Sequence, residues 1–239
     1  LEGVHPDPFR TRQLSPQRPM ILVPIGSGKV GSCLVKFLMS NKFKIAIFSS
    51  GSGSNFEAIV KAKIPNVEVC FLFCNVEDAF VLERAKNLGI QTIILSHKGY
   101  KLRKEYEEKI ISLINEYNLD LIVLAGFKRI LSPFFTGKFQ NKIINLHPSL
   151  LPAFTGLHAP RQALEYGAKF TGCTVHFVDD GIDTGPIIMQ GLVSIDQEDD
   201  EDSLISKINS KEHEILPKSI ELLSLNKFII EGRKVFLKD

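Results

Sequence analysis

A chain of 239 residues, 44% of them hydrophobic, can bury a full core, so one large domain or two intimate halves is expected and disorder is not the default. The formal net charge is +2 and charged residues, 23% of the total, are mixed along the chain; this leaves no basic stripe for nucleic acid but is compatible with a small anionic ligand. Cys33, Cys70, Cys74 and Cys173 form no C-x-x-C pair and no Cys/His spacing suited to zinc, so no metal is expected and a reducing, cytoplasmic setting fits best.

Residues 1–42 read as a leader, disordered or non-native. The opening LEGVHPDPFRTRQLSPQRP is proline-rich and lacks periodicity. MILVPIGSGKVGSCLVKFL then reads as strand, turn and helix, with G-x-G-x-x-G at Gly26, Gly28 and Gly31. No Asp or Glu occurs between Gly31 and Glu57 to hold a ribose hydroxyl, and Val23 and Val30 stand where a P-loop needs glycine and a hydroxyl residue. An appended leader is therefore preferred to a dinucleotide site. The glycines and Lys29 also interrupt the apolar content of residues 20–39, and no stretch reaches the ~18 apolar residues of a membrane span.

From Phe43 the chain alternates short apolar runs with amphipathic stretches. KIAIF, VEVCFLF, QTIIL, LDLIVLAG and KIINL read as strands covered on both faces, with Cys70 and Cys74 on one face of theirs. NFEAIVKA, AFVLERAKNLG and LRKEYEEKIISLINEYN carry helical spacing, which predicts a doubly wound, mainly parallel sheet with right-handed crossovers. After residue 150 come a helix (PRQALEYG), strands FTGCTVHFV and PIIMQGLVSI, a long helix over roughly residues 202–223 and a hairpin, FIIEGRKVFL. The fold class is thus α/β, with a Rossmann-like phosphate-binding first half and a mixed second half. Ligands in such sheets bind beyond the carboxyl ends of the strands.

Three segments fall at those ends. SSGSGSN (49–55) lies between a strand and a helix, where glycines admit a close ligand and helix amides suit a phosphate. Gly53, Ser54 and Asn55 are its candidate contacts; a plain turn with a Ser/Asn helix cap is the alternative. In IINLHPSLLP (143–152), Asn145 and His147 are two apart on an extended chain and point to one side, while Pro148 keeps His147 out of the helical region. An amide and an imidazole aimed at one volume suit the oxyanion of an acyl-transfer intermediate. A buried histidine satisfied by backbone would leave Asn145 unexplained. In HFVDDGIDTGPI (176–187), Asp183 can be held by a tight loop, and a carboxylate beside an imidazole favours its charged form. Asp180 reads as a surface turn acid, and the spacing does not match a calcium loop. Ser149 follows the histidine too closely to be its nucleophile, so direct transfer is the simpler chemistry. The acidic run DQEDDEDS (196–203) complements the start of the long helix.

In this order and separation, FSSGSGSNFEAI, NVEDAFVLERAKNLGI, LAGFKRILSPFF, INLHPSLLPAFTGLHAPRQALEYG, GCTVHFVDDGIDTGPIIMQ and SKEHEILP resemble the glycinamide ribonucleotide formyltransferases, folate-dependent enzymes of purine synthesis. The resemblance covers roughly residues 43–224 and implies a single formyltransferase domain over 43–239. Residues 43–143 would be its ribonucleotide phosphate-binding half and 144–239 its folate-binding and catalytic half. It implies that glycinamide ribonucleotide attacks the formyl carbon of 10-formyltetrahydrofolate, with no metal, Asn145 and His147 stabilising the oxyanion and Asp183 orienting and charging His147. Gly53, Ser54 and Asn55 would hold the phosphate, and Glu212 with Asn209 the ribose or phosphate side. The folate would lie against Lys128, Arg129, Ile130, Leu131 and Asn145, with Asp179 near its pterin and Arg103 near its tail. Asn209 is shorter than the glutamine or lysine often found there, and the family's members begin near the first strand, which would put the native start at Met39. The alternatives are weaker. Formyltetrahydrofolate hydrolases carry an N-terminal regulatory domain that 42 residues cannot form, tRNA formyltransferases need a basic surface and an RNA-binding domain, and a non-catalytic dinucleotide-binding module would rest on GSGKVG alone. The expected partners are small molecules, without nucleic acid or membrane, and the protein is expected as a monomer or homodimer.

Overall fold

The computed structural model describes residues 42–238. The expectations placed on residues 1–41, including the G-x-G-x-x-G segment and Cys33, lie outside the described residues.

Five apolar runs form the parallel part of one sheet: β1 (Phe43–Ser49), β2 (Val67–Cys74), β3 (Thr92–Ile94), β4 (Leu121–Leu124) and β5 (Ile143–His147). The chain then reverses. β6 (Phe170–Phe177) lies antiparallel to β5, β7 (Ile187–Ser194) antiparallel to β6, and the hairpin of β8 (Phe228–Glu231) and β9 (Lys234–Leu237) joins through Ile187 paired with Lys234. The strand order is β3-β2-β1-β4-β5-β6-β7-β9-β8. Connections leave β1 toward β2 and β4 toward β5, in opposite directions, so the loops after β1 and β4 flank a topological switch point where a cleft opens.

Both faces are covered, which is why the centres of the parallel strands β1, β2 and β4 are apolar on both sides, with the charged Lys44 and Glu68 near the strand starts. On one face Ile45, Ile47, Leu72, Val123 and Ile144 pack against α1 (Ser54–Ala62), α2 (Val81–Asn87) and α6 (Glu201–Ser224). On the other, Ala46, Phe48, Phe73 and Ile122 meet α3 (Arg103–Ile114) and α4 (Pro133–Lys138). α5 (Ala159–Tyr166) follows the loop beyond β5. Phe48, fully buried, lies 4.6 Å from the Phe73 ring and 5.5 Å from Phe127, so this core runs directly into the loop after β4. Burial of one such side chain stabilises by roughly 1.5–3 kcal/mol.

One expectation is revised and one element was not expected. Ile45 pairs with Val69 but Ala46 with Phe71, so Cys70 is the extra residue of a β-bulge. The bulge breaks the alternation: Cys70 packs with Phe71 and Phe73, whereas Cys74 packs with Leu72 on the opposite face. They do not share a face as expected. Helix α4, to which the sequence reading assigned nothing, starts at an N-cap Ser132, whose hydroxyl accepts from Phe135 N, with Pro133 in the first turn.

Gly172 fixes the β6–β7 spacing. A Cβ there would stand 1.9 Å from Gly191 O and 2.9 Å from Leu150 Cδ2. Gly172→Ala should therefore destabilise the protein by about 1–3 kcal/mol, the usual cost of overpacking. A urea midpoint unchanged from the parent would show that the two strands are not in this register.

Candidate active site

The loop after β1 turns into α1 through Gly53, whose φ of 77° is left-handed and whose missing Cβ would sit 2.3 Å from Val81 Cγ2. Gly53 is itself the N-cap, and no side chain caps the helix, so the Ser/Asn-capped turn weighed from the sequence is not what forms. The loop has further ties. Ser50 N donates to Gly126 O at 3.1 Å, Ser50 Oγ to Asn75 Oδ1 at 2.6 Å, and Lys128 N to Ser50 Oγ at 2.9 Å. The loops after β1 and β4 are thereby clamped together across the switch point.

Gly53, Ser54 and Asn55 line a polar cavity of about 420 Å³, closed on its far side by Asn209 and Glu212 of α6. Asn55 Nδ2 donates to Glu212 Oε2 at 2.7 Å, while Asn55 Oδ1 is buried without a partner among the described residues. Glu212 is only 5% exposed, and burial pushes its carboxyl up to about 7 against the lowering effect of the Asn55 hydrogen bond. All five predicted ribonucleotide contacts therefore surround one space.

A second cavity, about 480 Å³ and more apolar, adjoins the first; Gly126, Lys128 and Leu146 line both. Its walls include Lys128, Arg129, Ile130 and Leu131 after β4, with Asp179, Ile182 and Asp183 from the loop before β7. Arg103 does not line it. Its guanidinium donates to Ile130 O and approaches buried Glu107 at 3.5 Å, so it supports the wall from behind. Glu107 also accepts from Ser132 N at 2.9 Å and from the Ser132 hydroxyl.

Asn145 and His147, at the end of β5, both face this second cavity, as their spacing predicted. His147 is buried: Nε2 lies 2.8 Å from Phe154 O and Nδ1 3.3 Å from Asp183 Oδ2. Asp183 is held in place by a left-handed φ of 55° and by Gly156 N, which donates to Oδ2 at 3.0 Å. Asp179 Oδ1 accepts from Thr184 Oγ1 at 2.6 Å and Gly181 N at 3.1 Å, stiffening the same loop. Asp180 is exposed, as expected of a turn acid, but also accepts from Thr136 Oγ1 at 2.7 Å and so ties the loop to α4. Ser149 is fully buried and donates to Ala153 O at 2.6 Å, which takes it out of contention as a nucleophile.

The sequence reading missed His176. It pairs with Asn145 across β5 and β6, and its Nε2 lies 3.2 Å from Asn145 Nδ2. Its Nδ1 lies 2.9 Å from Phe177 O; a carbonyl only accepts, so the proton sits on Nδ1 and Nε2 accepts from the Asn145 amide. Burial, the main cause, lowers the His176 pKa, which keeps the ring neutral. The 3.7 Å approach of His176 Nε2 to Asp183 Oδ1 is therefore a near contact and not an ion pair. This fixes which way Asn145 points: one amide N–H goes to His176 and the other is left for the cavity. Phe154 and Gly156, beyond the proline-punctuated segment, were also missed; both act through backbone atoms, which carry no residue signal.

Fold and site together define the class, a doubly wound α/β protein whose cleft brings an apolar and a polar pocket onto an amide, an imidazole and a carboxylate. Residues 43–220 match the family model described as "Formyl transferase". The phosphoribosylglycinamide formyltransferase of Escherichia coli (strain K12) is 43% identical over 176 residues, 72% of this chain and 83% of that protein. The trifunctional purine biosynthetic protein adenosine-3 of Drosophila melanogaster is 40% identical over 193 residues, which are 79% of this chain but only 14% of that protein. The crystal structure of glycinamide ribonucleotide transformylase 1 from Symbiobacterium toebii superposes with a TM-score of 0.81 at 38% identity, covering 84% of this chain and 96% of that one. The chain belongs to the formyl transferase family.

Glu212 gives a pH test. Because the folded state raises its pKa from 4.5 to about 7, the fold holds this proton more tightly than the unfolded chain does. The contribution is present below the unfolded pKa and is lost as pH rises through the folded one, a change on the order of 3 kcal/mol. Glu212→Gln keeps an acceptor for Asn55 without the charge. The variant should be more stable than the parent near pH 8 and similar near pH 4, roughly the ends of that window. Parallel unfolding free energies across the range would contradict a buried carboxyl here.

Proposed function

We propose that the chain transfers the formyl group of 10-formyltetrahydrofolate to the amine of glycinamide ribonucleotide, giving formylglycinamide ribonucleotide and tetrahydrofolate in purine synthesis. The observation that carries this reading is the position of Asn145, His147 and Asp183 in the apolar cavity, beside the Gly126–Lys128–Leu146 seam with the polar one. Two unlike substrates, one flat and apolar and one a sugar phosphate, would meet at that seam. The relatives named for formyl transfer to the ribonucleotide support this acceptor over water.

The residues suit both ligands. Leu124, Ile130, Leu131, Val178 and Ile182 offer apolar walls for a pterin, with polar backbone at 127–131 and 179–183 for its edge. Bound there, the folate supplies the formyl carbon. Gly53, Ser54 and Asn55 receive the phosphate on backbone amides and side-chain donors, at the positive end of α1. Asn209 and Glu212 face the ribose side of the same cavity.

Attack of the amine nitrogen on the formyl carbon forms the new C–N bond and places negative charge on the formyl oxygen; collapse breaks the bond to the folate nitrogen. The amine loses a proton and the departing nitrogen gains one. Asn145, its amide oriented by His176, offers one donor to the oxyanion. His147 offers the other once its Nε2–H leaves Phe154 O. Asp183, 3.3 Å from Nδ1, orients the His147 ring and assists proton transfer through water.

The protein is proposed to be cytoplasmic and to act as a monomer or homodimer on small molecules, without nucleic acid or a membrane. No described helix is long and apolar enough to cross a membrane. Residues 43–239 would be one formyltransferase domain, with halves meeting near residue 143.

His147→Ala should lower kcat on the order of 10²–10³-fold, the usual effect of losing one oxyanion donor. Ribonucleotide Kd, measured by calorimetry, should change less than about threefold, because the ring acts mainly on the transition state. Loss of binding in step with kcat would assign His147 to substrate capture instead. Ser54→Ala and Asn55→Ala should chiefly raise KM for the ribonucleotide in steady-state assays, by roughly tenfold. An effect confined to folate would reverse the assignment of the two cavities.

A further inference from the structure

Arg84 lines neither cavity, yet it holds the loop on which the polar one is built. Its Nε donates to Ser52 O at 2.9 Å, its Nη1 pairs with Glu57 in the first turn of α1, and its guanidinium carbon lies 5.1 Å from the centre of the Phe80 ring. The start of α2, the helix that carries Arg84, braces the neighbouring residues. Val81 N donates to Gly51 O at 3.1 Å, and the Val81 side chain fills the space beside Gly53. Residues 51, 52 and 53 are each fixed in turn by α2, and the carbonyl of Ser52 is drawn toward the guanidinium. With that carbonyl turned to Arg84, the amides that follow can face an anion.

Charge gives Arg84 a second task. Glu57 sits in the first turn of α1, where a carboxylate gains from the helix dipole but competes with an incoming anion for the same field. Two cations offset it: Lys61 Nζ, 2.5 Å from Glu57 Oε1, and Arg84 on Oε2. The Lys61 side chain is 63% exposed and well screened, whereas Arg84 is 29% exposed, so most of the compensation falls to Arg84. Its field also reaches His213, next to Glu212 on the far wall, whose pKa is lowered first by burial and then by Arg84. A lysine could not do all of this, because only the guanidinium fork can hold a carbonyl and a carboxylate while lying against an aromatic ring.

We infer that Arg84 is a positioning residue for the phosphate end of the substrate, holding the loop at 51–53 and cancelling the charge of Glu57. The inference rests on the placement of the ribonucleotide phosphate at residues 53–55. Steady-state kinetics of Arg84→Met, Arg84→Lys and Arg84→Met combined with Glu57→Gln test it, with thermal unfolding run beside them. Arg84→Met should raise KM for the ribonucleotide about tenfold, as expected for loss of a charge-assisted hydrogen bond. Its kcat and its KM for the folate should stay within about twofold. Arg84→Lys, which keeps the charge and gives a second folded variant, should raise KM by a smaller factor. Adding Glu57→Gln to Arg84→Met should recover part of the loss, which a purely structural role would not produce. An unchanged ribonucleotide KM in a folded variant, or an equal change for both substrates, would overturn the inference alone. Absence of ribonucleotide-dependent turnover in the parent protein would overturn the transferase reading and this inference with it.

Discussion

Asn145 stands opposite His176 because β6 runs antiparallel to β5, and most of the site hangs on that reversal. A parallel neighbour would need a long crossover, and its own end would point the same way as β5. The reversal instead starts β6 away from the cleft and ends it beside the cleft, at Phe177, from where residues 178–186 return over His147 with Asp183. The same pairing places Thr174 opposite His147; its Oγ1 donates to Ser149 O at 2.7 Å and accepts from Leu151 N at 3.1 Å and Gln190 Nε2 at 3.0 Å. The segment after the histidine is thus fastened to the strand that faces the histidine. One hydrogen-bonded ladder sets both the amide and the path of the loop that carries Phe154 and Gly156.

The two cavities face opposite physical problems. The apolar one needs shape and backbone polarity, and the Phe48, Phe73 and Phe127 rings carry rigidity from the core into its wall. The polar one must concentrate positive field beside acidic groups, Glu57 and Glu212. Glu57 is compensated by ion pairs, while Glu212 is buried with an amide partner and takes up a proton more readily than an ordinary carboxyl. A buried carboxyl of this kind costs stability at neutral pH. Such a cost is common where a site must later hydrogen-bond a ligand.

Much of this was legible in the chain itself. The strands could be read because sheets covered on both faces demand unbroken apolar runs, and the pairing of Asn145 with His147 could be read because alternate residues of a strand share a side. What escaped depends on a second strand or on backbone. The bulge at Cys70 is a property of β2 against β1, so a strict two-residue period put Cys70 and Cys74 on one face. His176 has no meaning until β6 is known to be the antiparallel neighbour of β5. Arg103 was read through resemblance as a contact for the folate tail; that its guanidinium also supports the Ile130 carbonyl could not be read from the chain. Helix α4 is six residues long, too short for periodicity, although Ser132 before Pro133 is a legible start signal.

The central claim, that an amine on a sugar phosphate and not water receives the formyl group at the seam of the two cavities, is tested most directly by following loss of the formyl group from 10-formyltetrahydrofolate with and without glycinamide ribonucleotide. The proposed transfer predicts loss only when the ribonucleotide is present, with formylglycinamide ribonucleotide formed in equal amount. Equal loss in its absence would make water the acceptor and contradict the account.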